Sequence, residues 1–573
     1  MEIKMSEILI KNGKIFDGTG RPWYKADIYI KNNRIEKMGK CIEEKAENVI
    51  DAGGLAVAPG FWDLHTHDDW VIAMKNNADF LECRIRSGVT TLVGGNCGYS
   101  PHPATDEYLD DLIGYTAFLD PGIDYQWREL KGYFEHLEKQ GIVCNYATYM
   151  GHGAIRMAIM GIGATTPANV EQLQKMRDYV AEEMQQGAFG MSTGLLYPPG
   201  QFTPTEELLE LAKVVANYGG TYLSHLRNES ELYFEALGEA MSIGQTANLR
   251  VQLHHQEAFG EKYFWKMKPA LDLMREARDI RGVDVSFDFI PYVGANTTIL
   301  AIFPTWAFAG GIPKLMERIR DPKQLRKMRE DAETYVATWF PIEVYSHNLT
   351  KTCAVDSKNG YDNILILCCN VEKNRKLEGL TLADLGRMRN KHPFDAAAEL
   401  ALEEEGGAML VYFGGTGQPE LGWQKGTGEA KTSWFAEGKI EEIKHPFSTI
   451  ESDAILGKAK QHPAAWGTTA RTIGRFAREM GLITMEEAVK KLTFNAAGVL
   501  KVDDAGEIRK GNYADITIFN PKTIIDTATW KESAKVPEGI EYVIINGTVV
   551  LEKGNYHKNR LAGRVIKSTS YYQ

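Results

Sequence analysis

Eight short apolar runs recur through the middle of this chain: LAVAPGFWDLHTH, GVTTLVGGNCG, IVCNYATYMGHG, GAFGMSTG, GGTYLSHLRNE, LRVQLHHQEA, GVDVSFDFIPY and HPFSTIESDAI. Most are separated by stretches such as ANVEQLQKMRDYVAEEMQQ and EELLELAKVVANY, whose apolar residues fall three and four apart, as on one face of a helix. Strands that alternate with helices run parallel, and eight such units are the signature of a (β/α)8 barrel. This pattern constrains the chain more than any other feature, because the barrel also says where chemistry belongs. Functional side chains of such a barrel stand at the C-terminal ends of its strands.

The two ends of the chain have a different texture. EILIKNGKIFDG, ADIYIKNNRIEKMG and ENVIDAGG near the start, and EIRKGNYADITIFNP and IEYVIINGTVVLEKG near the end, are short β-runs broken by Gly and Asn. We expect residues 1–57 and 505–573 to build one small β-sandwich domain, with the barrel spanning 58–504. The seventh and eighth strands are separated by an insertion at about 299–446, too long for one helix. Its first part, FPTWAFAGGIPKLMERIRDPKQLRKMRED, suits a lid over the barrel mouth, and GGTGQPELGWQKGTGEAKTSWFAEG suits a pocket wall.

Composition removes several function classes. A formal net charge of −11 with no dense basic run argues against a nucleic-acid partner. No window is apolar enough for a signal peptide or a membrane span. Seven scattered cysteines do not form a disulfide framework. The expectation is a cytoplasmic protein with a small-molecule partner, and a homo-oligomer is compatible with it.

Reading the strand ends gives His65 and His67 from the first, Cys97 from the second, His225 from the fifth, His254 or His255 from the sixth and Asp453 from the eighth. Residues i and i+2 of a strand face the same side, so His65 and His67 point into one space. Each residue alone has an ordinary explanation: a lone Cys is usually a small buried hydrophobe, and a strand-end Asp usually a turn former. Their joint arrival at one barrel mouth points to a metal. Imidazole and thiolate favour zinc over magnesium or calcium, and zinc activates water and polarises carbonyls. Asp453 is then placed to move the proton from water to a leaving nitrogen.

In order along nearly the whole chain, PGFWDLHTHDD, GVTTLVGGNCGYS, GMSTGLLYPPG, YLSHLRNES, VQLHHQEA, ESDAILG, HPAAWGTTARTIGRF and GNYADITIFN resemble the motifs of the amidohydrolase superfamily. Within it the chain is similar to the D-aminoacylase (N-acyl-D-amino-acid deacylase) family. The resemblance implies a tight zinc on Cys97, His225 and one histidine of VQLHHQEA, and a weaker second metal on His65 and His67 with Cys97 bridging. It implies Asp453 as catalytic base. Aligned without a gap to the family's Val-Gln-Ile-Ser-His, the sixth-strand ligand is His255, and strand alternation groups it with Val251 and Leu253. His254 takes the place of a serine. Tyr197, His152, Tyr292, Glu257 and Asn296 are the candidate substrate contacts, with Asp69 and Glu229 as candidate supports for the ligands.

The specificity residues depart from the family. An arginine that holds the substrate carboxylate is Ala464 here, a lysine after the sixth strand is Glu257, a tyrosine is Ile290 and a serine is Asn296. An arginine fork matches a carboxylate's two oxygens, so its loss implies a substrate without a free carboxylate there, unless Arg471 or Arg475 rebuilds the clamp. The expected reaction is hydrolysis of an amide, peptide-like or blocked. The alternatives are a cyclic amidase, an aminohydrolase and, with every ligand position filled, least of all a non-catalytic scaffold.

Overall fold

The structure, a computed structural model, describes residues 7–335, 349–357, 359–413, 434–457 and 460–568. Parallel strands Phe61–Asp63, Val89–Gly94 and Asn145–Thr148 pair in that order, and Met150–Gly151, Gly190–Gly194, Thr221–His225, Arg250–Leu253, Val285–Phe289 and Ser448–Ile450 pair in theirs. The third strand carries both sets, since it continues past Tyr149 and Phe189 N–H donates to Thr148 O at 3.0 Å. The ring closes where Asp453 N–H donates to His65 O at 3.2 Å and Ser452 N–H to the Asp63 carboxylate at 3.0 Å. The result is a TIM barrel. Within these strands only Arg250 and Ser286 are not buried, which is why they read as continuous apolar runs rather than as alternation.

The helices follow their sequence signals. Val170–Gln186 starts from a capping box in which Asn169 and Gln172 exchange side-chain and backbone hydrogen bonds, and stops at Gly187 in the left-handed region (φ 113°). Met176, Val180 and Met184, four apart, are its buried stripe. Thr205–Asn217 buries Leu208, Leu211, Ala212 and Val215 in the same way.

Strands from both ends of the chain share one nine-stranded sheet. Ala56–Pro59 joins the two contributions, pairing with Ile8–Ile15 on one side and antiparallel with Ile516–Phe519 on the other. Its core is dominated by isoleucine, including Ile8, Ile10, Ile28, Ile30, Ile516, Ile518 and Ile544. Ala56–Pro59 then runs straight into the barrel through Gly60, where a Cβ would sit 2.2 Å from Thr90 Oγ1, so only glycine lets the first strand leave the sheet there.

The insertion after the seventh strand carries a hydrophobic core of its own, from Ile299 and Phe303 to Phe394 and Leu410. The segment read as a lid forms helices Gly311–Arg320 and Pro322–Thr334 in that core. A three-stranded antiparallel sheet, Ala295–Thr298, Met409–Tyr412 and Ile364–Cys368, connects it to the barrel mouth. Most of the expected second wall, 414–433, lies outside the described residues. Among the described residues no helix is long and apolar enough to cross a membrane.

One buried cation ties the first, second and eighth strand regions together. Arg84, 1% exposed, donates to Asp63 and Ser452 at 2.8 Å each, to Asp68 at 2.8 Å and to the carbonyl of Ala454 at 3.4 Å. Burial pushes the Asp68 carboxyl up to about 6 despite that partner. Arg84→Ala strands two buried carboxylates and is expected to cost about 3–5 kcal/mol. A urea midpoint unchanged from the wild type would show that the ion pairs do not hold the strands.

Candidate metal centre

Three imidazoles surround one sulfur. Cys97 Sγ lies 3.2 Å from His65 Nε2, 3.6 Å from His225 Nδ1 and 3.7 Å from His255 Nε2, all buried. Donors sharing a tetrahedral zinc, at S and N bond lengths of about 2.3 and 2.05 Å, stand about 3.6 Å apart. The two distances from Cys97 to His225 and His255 therefore match those of ligands on one ion, and all three donor atoms lie within 4.8 Å of one another. His65, His67 and Cys97 form a second set of potential ligand atoms within 4.8 Å of one another, so the thiol belongs to both. Asp453 faces this second set, with Oδ1 at 3.2 Å from His67 Nε2 and 3.5 Å from His65 Nε2.

The backbone is bent to achieve this. Cys97 (φ 51°), His255 (φ 29°) and Asp453 (φ 44°) all occupy the left-handed region, which side chains other than Gly, Asn and Asp avoid. Such conformations persist where the surroundings enforce them, and they gather at functional sites. They also correct the expected alternation. The sixth strand ends at Leu253, and His255 reaches Cys97 by its turned backbone rather than by strand period. His254 also faces inward, its ring 4.1 Å from that of His65 and its Nδ1 3.4 Å from Asp288.

The electrostatics follow from burial and neighbours. Burial works against charge on His255, but Glu229, 3.0 Å from its Nδ1, lifts it to about 9. Burial pushes the Cys97 thiol up, and the Asp453 and Glu451 carboxylates push it the same way. Burial raises Asp453, yet His65 and His67 bring it down to about 2. Burial holds His254 down to about 3, a neutral ring.

A cavity open to solvent, with about 550 Å³ of empty space, lies over these groups. Tyr197 and Asn296 line it with Tyr99, Thr297 and Leu349, and Tyr197 Oη is 2.8 Å from Thr297 Oγ1. The other candidate contacts lie elsewhere. His152 is buried 3.6 Å from Glu207, and Tyr292 lies under the Arg471 guanidinium with its hydroxyl 3.4 Å from Asp526. Glu257 is buried against Lys439. Arg471 and Arg475 both bind Asp526, so neither reaches the cavity in this structure. Asp69 accepts hydrogen bonds from Gly95 N–H at 2.7 Å and Tyr146 at 2.6 Å, supporting the second strand's end. Sequence reading missed Glu451, whose Oε2 is 2.6 Å from His65 Nδ1, and Asp288, which accepts from His255 N–H at 2.6 Å. The signal for Glu451 was its place two residues before Asp453.

Hydrolysis on a metal needs donors to hold the ion and a base to move a proton, and here different barrel strands bring both kinds of group to one mouth. The class is that of a metal-dependent hydrolase on a TIM barrel. A model of the amidohydrolase family matches residues 48–280 and 441–551, and the chain belongs to that family. It is 28% identical to a D-aminoacylase of Alcaligenes xylosoxydans xylosoxydans over 98% of each chain. It resembles the solved N-acyl-D-glutamate deacylase of Bordetella bronchiseptica, complexed with zinc and a phosphonate mimic of the tetrahedral intermediate (TM-score 0.77, 27% identity, 98% of this chain and 100% of that one). It also resembles a D-aminoacylase structure that addresses a binuclear metal centre with one-metal activation and second-metal attenuation (TM-score 0.77, 26% identity, 98% and 99%).

Ligation needs a neutral imidazole and a thiolate. His255, at about 9, and Cys97, raised by burial, both keep their protons at pH 7 in the metal-free protein. Uptake of the first zinc should then release about two protons at pH 7, and its affinity should climb as pH rises toward 9. Calorimetry in buffers of different ionisation enthalpy measures the number; a value near zero would mean that other groups bind the ion. With one equivalent of cobalt, His255→Ala should weaken the thiolate charge-transfer band and His254→Ala should retain it.

Proposed function

We propose that this chain is a zinc-dependent hydrolase of a linear amide, related to N-acyl-D-amino-acid deacylases but with an altered pocket for the group that is a carboxylate in their substrates. The observation that carries the reading is the placement of Cys97 Sγ 3.6 and 3.7 Å from His225 and His255, with Asp453 3.2 Å from His67 on the open side. Cys97, His225 and His255 would hold the tight zinc, and His65, His67 and Cys97 a weaker second ion. When bound, zinc supplies Lewis acidity that polarises the amide carbonyl and makes a water acidic enough to attack at neutral pH.

The chain's own residues do the rest. Asp453, kept ionised by His65 and His67, accepts the proton of the attacking water and delivers it to the leaving nitrogen. Asn296 donates from Nδ2 to the Asp453 carbonyl at 3.4 Å, steadying the base from the cavity wall. Glu229 fixes the His255 ring through Nδ1. Tyr197 closes the wall beside His225, with ring centroids 4.9 Å apart, and its hydroxyl is placed to meet the substrate.

The pocket supports a substrate without a free carboxylate at the altered position. Among the described residues that line the cavity there is no Arg or Lys. Ala464 packs with Ile290 and Tyr292, and Glu257 is taken by Lys439. A buried carboxylate without a cation would cost several kcal/mol, enough to favour an amide or a blocked group there. The seven free cysteines support a reducing, cytoplasmic setting.

Two measurements test this. The C-terminal amide of N-acetyl-D-methionine should exceed the free acid in kcat/KM by about tenfold or more, as expected for a difference above ~1.4 kcal/mol; a clear preference for the acid would overturn the altered pocket. Asp453→Asn should lower kcat by about 10²–10⁴-fold at unchanged zinc content. Retention of near-full activity would remove Asp453 as the base.

A further inference from the structure

We propose that a second cavity, past Tyr197, is the subsite for the acyl half of the substrate, and that it takes an uncharged, apolar acyl group longer than acetyl. This deepens the amide-hydrolase reading above and rests on it for the place of the scissile bond.

The direction of each half follows from the base. An amide's two halves diverge from its carbonyl carbon, and the leaving nitrogen must come within a proton's reach of Asp453. Asn296 donates to the Asp453 carbonyl at 3.4 Å, and Ala295 beside it packs against Ile290, Tyr292 and Ala464, the altered position of the amine half. The strand Ala295–Thr298 leads away from that end. Thr297 meets Tyr197 Oη at 2.8 Å, and Thr298 borders the second cavity. At a rise of about 3.3 Å per residue, Thr298 stands about 7 Å from Asn296. Tyr99, Leu196 and Tyr197 border both cavities, whereas Asp453, Asn296 and Ile455 border only the first. The half of the substrate that turns away from Asp453 therefore turns towards the second cavity, and that half is the acyl group.

The wall sets the chemistry. The second cavity holds about 500 Å³ of empty space, and every described residue bordering it is uncharged. Leu300, Phe303 and Phe308 come to it from the insertion's own buried core, joined by half-buried Ala301 and Ile312. Its hydroxyls are used within the protein: Thr305 Oγ1 donates to Gln201 Oε1 at 3.3 Å, and Thr298 Oγ1 to the Gly406 carbonyl at 3.4 Å. Such a wall rewards covered apolar area and offers a carboxylate no cation.

The test is an acyl series on one amine, the N-acetyl, N-butanoyl and N-hexanoyl derivatives of D-methionine amide, with a six-carbon acyl chain ending in a carboxylate as the charged member. From acetyl to hexanoyl, kcat/KM should rise by about 10–100-fold, as expected for four buried methylenes. The charged chain should fall at least about tenfold below hexanoyl. Ala301→Phe, which fills the cavity from the insertion side, should bring the hexanoyl-to-acetyl ratio down towards one. A flat series in the wild type overturns the proposal, and so does an unchanged ratio in folded Ala301→Phe. A gain seen only when the amine is lengthened from D-alanine amide to D-norleucine amide also overturns it, since the cavity would then serve the amine half. The wild-type series decides by itself if Ala301→Phe does not fold. Should no N-acyl amide be cleaved, the hydrolase reading falls, and binding of acetamide, butanamide and hexanamide by ligand-observed NMR decides the subsite. Affinity that climbs with chain length supports it, and affinity independent of length overturns it.

Discussion

A carboxylate taken out of water is costly unless a cation or a proton meets it, and the mouth of this barrel buries Asp63, Asp68, Asp69, Glu229, Asp288, Glu451 and Asp453. Arg84 answers Asp63 and Asp68. The others face imidazoles, a tyrosine and backbone amides. This crowding of buried carboxyl groups around nitrogen and sulfur donors is the constraint on which the mouth depends. Around it the strand ends hold Cys97, His255 and Asp453 in the left-handed region, a conformation that persists only where the surroundings enforce it.

The same charge balance separates holding from reacting. Glu229 approaches His255 at Nδ1, the ring nitrogen turned away from Cys97, while lining the same cavity. Asp453 sits on the cavity side, against His67.

Above the centre the wall is aromatic and neutral, and part of it comes from the insertion. Asn296 and Thr297 stand on the strand that ties the insertion's own core to the barrel. Past Tyr99, Leu196 and Tyr197 a second cavity of about 500 Å³ is walled by Leu300, Phe303, Phe308 and Ile312. An insertion with an independent core can change such walls without disturbing the barrel, as loops and insertions on this fold commonly do.

The barrel was legible because its signal is local: buried parallel strands are apolar throughout, and Val170–Gln186 announces itself by cap, stripe and terminal glycine. His65, Cys97, His225 and Asp453 were legible because each closes such a run. The choice of His255 over His254 was argued from an ungapped alignment and from strand period; the period fails where φ turns to 29°, and a backbone angle is not written in the letters VQLHHQEA. Likewise, Arg471 and Arg475 looked free to rebuild a clamp, and only packing shows that Asp526, some fifty residues on, has taken both. The amino-acid sequence by itself determined the barrel, the donor types and the order in which they reach its mouth, since these rest on period and residue chemistry. Which donors meet, and which cations are spent elsewhere, were decided by tertiary structure alone, because distances between residues hundreds of positions apart exist only once the barrel closes.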